Sequence, residues 1–169
     1  MDTMTQEKLR SFLHYAPETG VFSHLTDTKN RKAGDVAGAI NNLSYRVIYI
    51  NAKPYYAHRL AFLYMTGCYP HEVADHINGV KHDNRWCNLR EATRSQNAIN
   101  QPLRKDNTSG YRCVARCGSR YSALITVNKN RIWLGVFDTA EEAGQAAQAA
   151  RLQHYGAFAT PRTTTTEVA

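Results

Sequence analysis

Asp75-His76 stands just ahead of the turn Asn78-Gly79, and Asp83-Asn84-Arg85, Asn88-Leu89-Arg90 and Gln96-Asn97 follow in order. A carboxylate and an amide present hard oxygen donors, so Asp75 and Asn97 are candidate ligands for a divalent cation such as magnesium or manganese. An imidazole has its pKa near neutrality, so His76 beside such an ion is a candidate general base for activating water. A bound dication would stabilise the charge that develops on a phosphodiester and its leaving oxygen. Hydrolysis of a phosphodiester needs these roles, and this stretch has a residue for each.

The elements that must position these groups are a strand, a second strand and a helix. Residues 73–77 read as a strand ending at Asn78-Gly79, a polar loop follows, and residues 88–93 form the return. Thr93 with Gln96 three residues later has the form of a capping box, which opens a helix from Arg94 to about Gln101, before Pro102. Two chain reversals then bring the end of the first strand to face the helix. Neighbouring strand residues point to opposite faces, so Asp75 and His76 can share a site only at the strand's end, where the turn twists the backbone. Asn88 reads as a loop brace rather than a ligand. His58 reads as a structural residue at a helix start, and His71 and His82 as solvated loop residues.

Upstream, a short helix carries Leu9, Phe12 and Leu13 on one face, and a turn at Pro17-Glu18-Thr19-Gly20 leads to a strand over 21–25. Residues 45–50 are strand by their β-branched and aromatic content, and Asn51-Ala52-Lys53 is a hairpin turn. A helix over 58–65 places Leu60, Leu63 and Tyr64 on one face and stops at Gly67. Downstream, strands over 111–116, 121–127 and 131–137 alternate with turns at Gly118-Ser119 and Asn128-Lys129-Asn130. Thr139 and Glu142 then cap a last helix that ends at Gly156, with Ala143, Ala146, Ala147 and Ala150 inward. The threonine-rich stretch 160–169 is expected to be unstructured.

The 169 residues hold 21 Lys and Arg against 14 Asp and Glu, a net charge of +7. The excess has a shape. Between Asn107 and Trp133 lie Arg112, Arg116, Arg120, Lys129 and Arg131 without a single Asp or Glu, spread over alternating strand residues. That pattern favours an anion-binding face, and double-stranded DNA is its natural partner. Trp133 on the same strands could stack on DNA or seal the sheet, and Arg85, Arg90 and Arg94 could touch phosphate or simply stay solvated. The four cysteines Cys68, Cys87, Cys113 and Cys117 make no CxxC pair, so no structural zinc is expected. No signal peptide is visible, and no segment approaches the roughly 20 apolar residues of a membrane span.

The run AHRLAFLYMTG…ADHINGVKHDNRWCNLREATRSQNAINQ resembles the HNH homing-endonuclease family of phages, in the variant whose third position is Asn. The resemblance covers roughly residues 45–101, and LRSFLHYAPETGVF looks like the leader that precedes such domains. It implies a ββα-metal unit with Asp75 and Asn97 as metal ligands, His76 as base, and Asn88 holding the loop by backbone hydrogen bonds. Ser44-Tyr45 departs from the expected Gly-Tyr. The stretch from Asn107 onward resembles the DNA-binding domain of plant APETALA and ethylene-response factors, a three-stranded sheet braced by one helix. There Arg112, Arg131 and Trp133 match DNA-contacting positions, while Ala115, Leu124 and Thr126 replace residues usually charged; Arg116 and Arg120 join the set from the charge pattern.

The expectation is an α+β chain: a leader over 1–57, a ββα-metal nuclease unit over 58–105, and a three-stranded antiparallel sheet packed on one helix over 107–159. It would be a metal-dependent homing-type endonuclease that nicks double-stranded DNA, encoded by a phage and acting in the host cytoplasm, without a small-molecule cofactor. Two alternatives stand beside it: a DNA-binding regulator on an inactive nuclease scaffold, and a nonspecific phage nuclease.

Overall fold

The computed structural model describes residues 4–159 and divides into two units, one up to Arg94 and one from Ser95 onward. The stretch 160–169 lies outside the described residues. Both units are mixed α/β, built on small antiparallel sheets.

In the first unit Thr5 opens α1 (Gln6–Phe12), its hydroxyl accepting the Lys8 N–H at 3.3 Å. The expected helical face of Leu9, Phe12 and Leu13 is cut short, because Leu13 begins β1 (Leu13–Ala16). Leu13 and Tyr15 are buried and His14 is exposed, a strand period that overrides the helical spacing. β1 pairs with β2 (Val21–His24) across the turn 17–20, with Tyr15 opposite Phe22. Next, β3 (Ala39–Ile40), β4 (Arg46–Ile50) and β5 (Lys53–Tyr56) form a sheet in that order. Asn51 and Ala52, at φ 50° and 61°, make the β4–β5 turn in the doubly left-handed form that matches strand twist. Ser44 sits at φ 66°, where a serine costs about 1–2 kcal/mol that glycine would not.

Helix α2 (Ala57–Thr66) follows β5 directly and stops at Gly67, whose N–H reaches Leu63 O at 3.1 Å from a left-handed φ of 82°. β6 (Val73–His76) and β7 (Leu89–Ala92) are antiparallel, with Asp75 opposite Arg90 and His76 opposite Leu89. A 3₁₀ turn, Trp86–Asn88, occupies the start of the stretch expected as strand. α3 (Arg94–Ile99) is shorter than the spacing implied, and its Arg94 N–H donates to Glu72 Oε2 at 2.9 Å. The unit's core lies where α1, β1, β2, β4 and α2 meet: Leu9, Leu13, Tyr15, Phe22, Ile48 and Leu60 are all out of water. Tyr15 stacks on Phe22 at 4.6 Å, and Tyr64 meets both rings edge-on at 5.7 and 6.2 Å. Such pairs contribute roughly 0.5–1.5 kcal/mol each beyond the area they bury.

The second unit is a sheet of β8 (Val114–Cys117), β9 (Arg120–Val127) and β10 (Asn130–Phe137), with β9 central, followed by α4 (Ala140–Tyr155). β8 starts three residues later than the sequence implies, because Gly110 and Cys113 hold positive φ of 76° and 63°. Thr139 and Glu142 form the capping box that the sequence signals. Ala143 and Ala147 are buried against the sheet, whereas Ala146 and Ala150 are only half-buried. Gly144 and Arg151 complete the inner row instead. A Cβ on Gly144 would overlap the Tyr111 ring, so glycine is what lets that ring lie on the helix. Among the described residues no helix is long and apolar enough to cross a membrane.

Candidate active site

The hairpin β6–β7 is buried at its catalytic end: Asp75 is 4% and His76 5% exposed. Asp75 faces its cross-strand partner Arg90, whose Nε and Nη2 approach the same carboxylate oxygen, Oδ2, at 2.9 and 2.8 Å. His76 is the last residue of β6 and packs in a cluster of rings. His58 lies edge-on to it at 5.1 Å and Tyr45 lies at 6.1 Å; Tyr56 stacks on His58 at 5.5 Å. Adjacent strand residues are thus both buried, because β6 ends here and both its faces are covered.

The loop 77–88 is organised by its amides. Asn88 accepts the Asn78 N–H on Oδ1 at 3.0 Å and donates from Nδ2 to Asp83 O at 2.8 Å, and its own carbonyl accepts the Ile77 N–H at 2.9 Å. Asp83 is held by Arg85 at 2.6 Å and by Asn78 Nδ2 at 2.7 Å, and the Arg85 bonds keep its carboxyl below the usual range. Asn84 is 1% exposed, with Oδ1 3.2 Å from His76 Nε2.

Burial pushes the His76 imidazole below its ordinary pKa, partly countered by the Asn84 bond and the nearby Asp75. His58 is pushed further, to about 3, by burial first and then by His76 and Arg59. His58 Nδ1 is buried without a hydrogen-bond partner. The structure brings Asp75, His76, Asn88 and His58 together in one unit. Asn97, half-buried on α3, belongs to the second unit, where its carbonyl accepts the Asn100 N–H at 3.2 Å.

Residues 55–99 match the sequence model of a family described as HNH endonuclease. This segment is similar to HNH endonucleases, and the chain is a nuclease. The HNH segment runs from the end of β5 through α2, β6, the amide-rich loop and β7 to the end of α3. No curated protein matches the chain. A solved structure described as DNA binding and cleavage by the HNH homing endonuclease I-HmuI aligns over 92% of this chain and 91% of that one, at 17% identity and a TM-score of 0.44.

The donors of the HNH segment suit a hard dication rather than a soft one. A magnesium-type ion needs only one or two carboxylates and keeps several waters, and Asp75 is a buried carboxylate of this segment. Among the described residues no group of three or more His, Cys, Asp or Glu is disposed to hold a metal, and the four cysteines are free and exposed. A separate groove of about 560 Å³ on the β3–β4–β5 sheet, lined by Val47, Tyr49 and Tyr55, does not include His76.

The second unit carries the basic residues. Arg131 and Trp133 are exposed on β10, opposite Thr126 and Leu124, and Trp133 is 59% exposed, which rules out the core reading. Arg116 lies in register with Tyr121, whose ring packs toward α4, and its Nε returns to Gly118 O at 3.1 Å. Arg120 pairs with Asp138 at 2.7 Å, and Arg112 lines a cavity beside Cys113 and Arg151. His58, read from the sequence as structural, and Asn84, which the sequence did not single out, both contact His76. The signal available for His58 was its place as the second residue of α2, two positions after Tyr56.

Proposed function

We propose that this nuclease is a metal-dependent endonuclease that hydrolyses phosphodiester bonds in double-stranded DNA, nicking one strand per active site in the manner of homing enzymes. The observation that carries the reading is the burial of His76 next to Asp75 at the end of β6 within the matched segment. Asp75 would supply a carboxylate oxygen to a magnesium or manganese ion in a ββα-metal unit. When bound, that ion supplies charge stabilisation at the phosphate and at the departing oxygen. His76 takes a proton from water as the water oxygen bonds to phosphorus, and the bond from phosphorus to the sugar oxygen breaks. Asn88 keeps the loop shaped so that His76 stays at the strand end.

The second unit would be an APETALA-like reader. Its outer sheet row, with Arg131 and Trp133 exposed, fits contact with DNA, and Arg112, Arg116 and Arg120 add positive charge for phosphates. One observation favours the alternative of a DNA-binding regulator on a silent scaffold: the Asp75 carboxylate is already paired with Arg90 through Oδ2. Supercoiled plasmid incubated with magnesium separates the two. The wild type should convert it to open circles, while His76→Ala or chelator should abolish the conversion. Linear product would point to paired active sites. Plasmid left intact by a protein that still shifts DNA in a gel would establish the regulator instead.

A further inference from the structure

Asn84 is the residue in which the loop and the N-terminal hairpin converge on His76. Its side-chain amide has a fixed orientation, because Nδ2 donates to His82 O at 3.1 Å and thereby turns Oδ1 toward His76. An amide oxygen can only accept, so the hydrogen in the 3.2 Å contact must reside on His76 Nε2. In a neutral imidazole the lone pair is then on Nδ1.

Asn84 does not hold this position alone. Tyr15 on β1, fully buried, donates its hydroxyl hydrogen to Asn84 O at 2.6 Å. The Trp86 N–H donates to Pro17 O at 2.9 Å, at the start of the β1–β2 turn. Gly20, at φ 71° in the same turn, lies so close to the Asn84–Arg85 peptide that a Cβ would overlap its carbonyl carbon and nitrogen and stand 2.7 Å from its oxygen. Three contacts from one hairpin therefore seat the backbone from the Asn84 carbonyl to Trp86. On the other side of His76, the His58 ring packs edge-on at 5.1 Å and limits rotation of the imidazole.

We infer that Asn84, clamped by the β1–β2 hairpin through Tyr15, Pro17 and Gly20, is a positioning residue that fixes His76 as its Nε2–H tautomer, which makes Nδ1 the nitrogen that accepts the proton. This rests on the reading of His76 as general base. It assigns the N-terminal hairpin a part in the chemistry, because the hairpin holds the peptide that holds the base.

The test has a spectroscopic arm that needs no variant. Long-range ¹H–¹⁵N correlation on the full chain labelled at histidine, with His76 assigned by its loss in His76→Ala, should show Nε2 protonated and Nδ1 unprotonated. An Nδ1–H pattern for His76 would overturn the inference outright. The kinetic arm compares Asn84→Leu, which has similar volume and no acceptor, with Asn84→Asp, which keeps an acceptor oxygen for Nε2 but gives up the bond to His82. Asn84→Leu should lower kcat on the order of 100-fold, the low end of what a general base contributes, with KM unchanged. Asn84→Asp should recover to within about tenfold of wild type. Wild-type kcat in Asn84→Leu, or Asn84→Asp no better than Asn84→Leu when both unfold like the wild type, would refute the positioning role. Should His76→Ala itself retain cleavage, the general-base reading fails; the tautomer measurement still stands or falls by its own pattern.

Discussion

Acid should unfold the first unit through His58, and the size of the effect follows from its surroundings. The imidazole is buried with Nδ1 unpartnered, and its pKa falls from 6.5 to about 3. Between those two values the unfolded chain binds a proton that the folded chain refuses. Stability from this group is therefore complete above the unfolded pKa and declines as pH falls through it, levelling off only near the folded value. Going from about pH 7.5 to about pH 5 gives a loss of roughly 2 kcal/mol from this one residue. His58→Phe keeps a ring between Tyr45, Tyr56 and His76 and removes the titrating group. Urea unfolding followed by Trp86 fluorescence reports on this unit, since Trp86 packs on Phe62 at 5.0 Å while Trp133 is already solvent-exposed. The difference in unfolding free energy between the two pH values should be smaller by about 2 kcal/mol in His58→Phe than in the wild type. Equal losses in both proteins would refute the argument, because His76 and the carboxylates titrate in each of them.

Three further outcomes can be checked with the same preparations. Asp75→Ala should abolish cleavage and cost about 3–5 kcal/mol by leaving the part-buried Arg90 without its ion pair; Asp75→Ala with Arg90→Met should regain most of the stability and none of the cleavage, and a double variant as unstable as the single would contradict this. Gly20→Ala should destabilise the first unit by more than about 1 kcal/mol, since φ of 71° already strains an alanine and the Asn84–Arg85 peptide would have to move; an unfolding curve superimposable on wild type would remove the close approach on which the hairpin clamp depends. Arg131→Ala should lower the slope of log affinity against log salt by about 1 in DNA gel shifts at several salt concentrations, and an unchanged slope would take Arg131 off the phosphate-contacting face.

Much of the architecture was written in local chemistry. Thr139 and Glu142 specify a helix start because their side chains close on nearby backbone N–H groups, and Gly67 specifies a stop because only a left-handed residue closes the last turn there. Asn51-Ala52 and Asn128-Lys129 read as hairpin turns and adopt positive φ at both central positions. The order of Asp75, His76, Asn88 and Asn97 pointed to a nuclease, and the family match over residues 55–99 agrees with a nuclease. Where two periods competed, local reading failed. Leu9, Phe12 and Leu13 fit a helical stripe, yet Leu13 and Tyr15 fit a strand, and only the partner strand with Phe22 decides between them.

What the sequence determined by itself was therefore the set of reactive groups and the elements on which they ride. What it left open was which groups touch. His58 and Asn84 lie 18 residues before and 8 after His76, and no local propensity links them to it. The contact of His58 with His76 exists because α2 packs on the shared core, which excludes water and leaves His58 neutral. The grip of Asn84 on Nε2 exists because a turn some 65 residues upstream seats on its peptide. Burial and long-range hydrogen bonding are properties of the assembled unit, so the protonation of His76 was decided by tertiary structure alone.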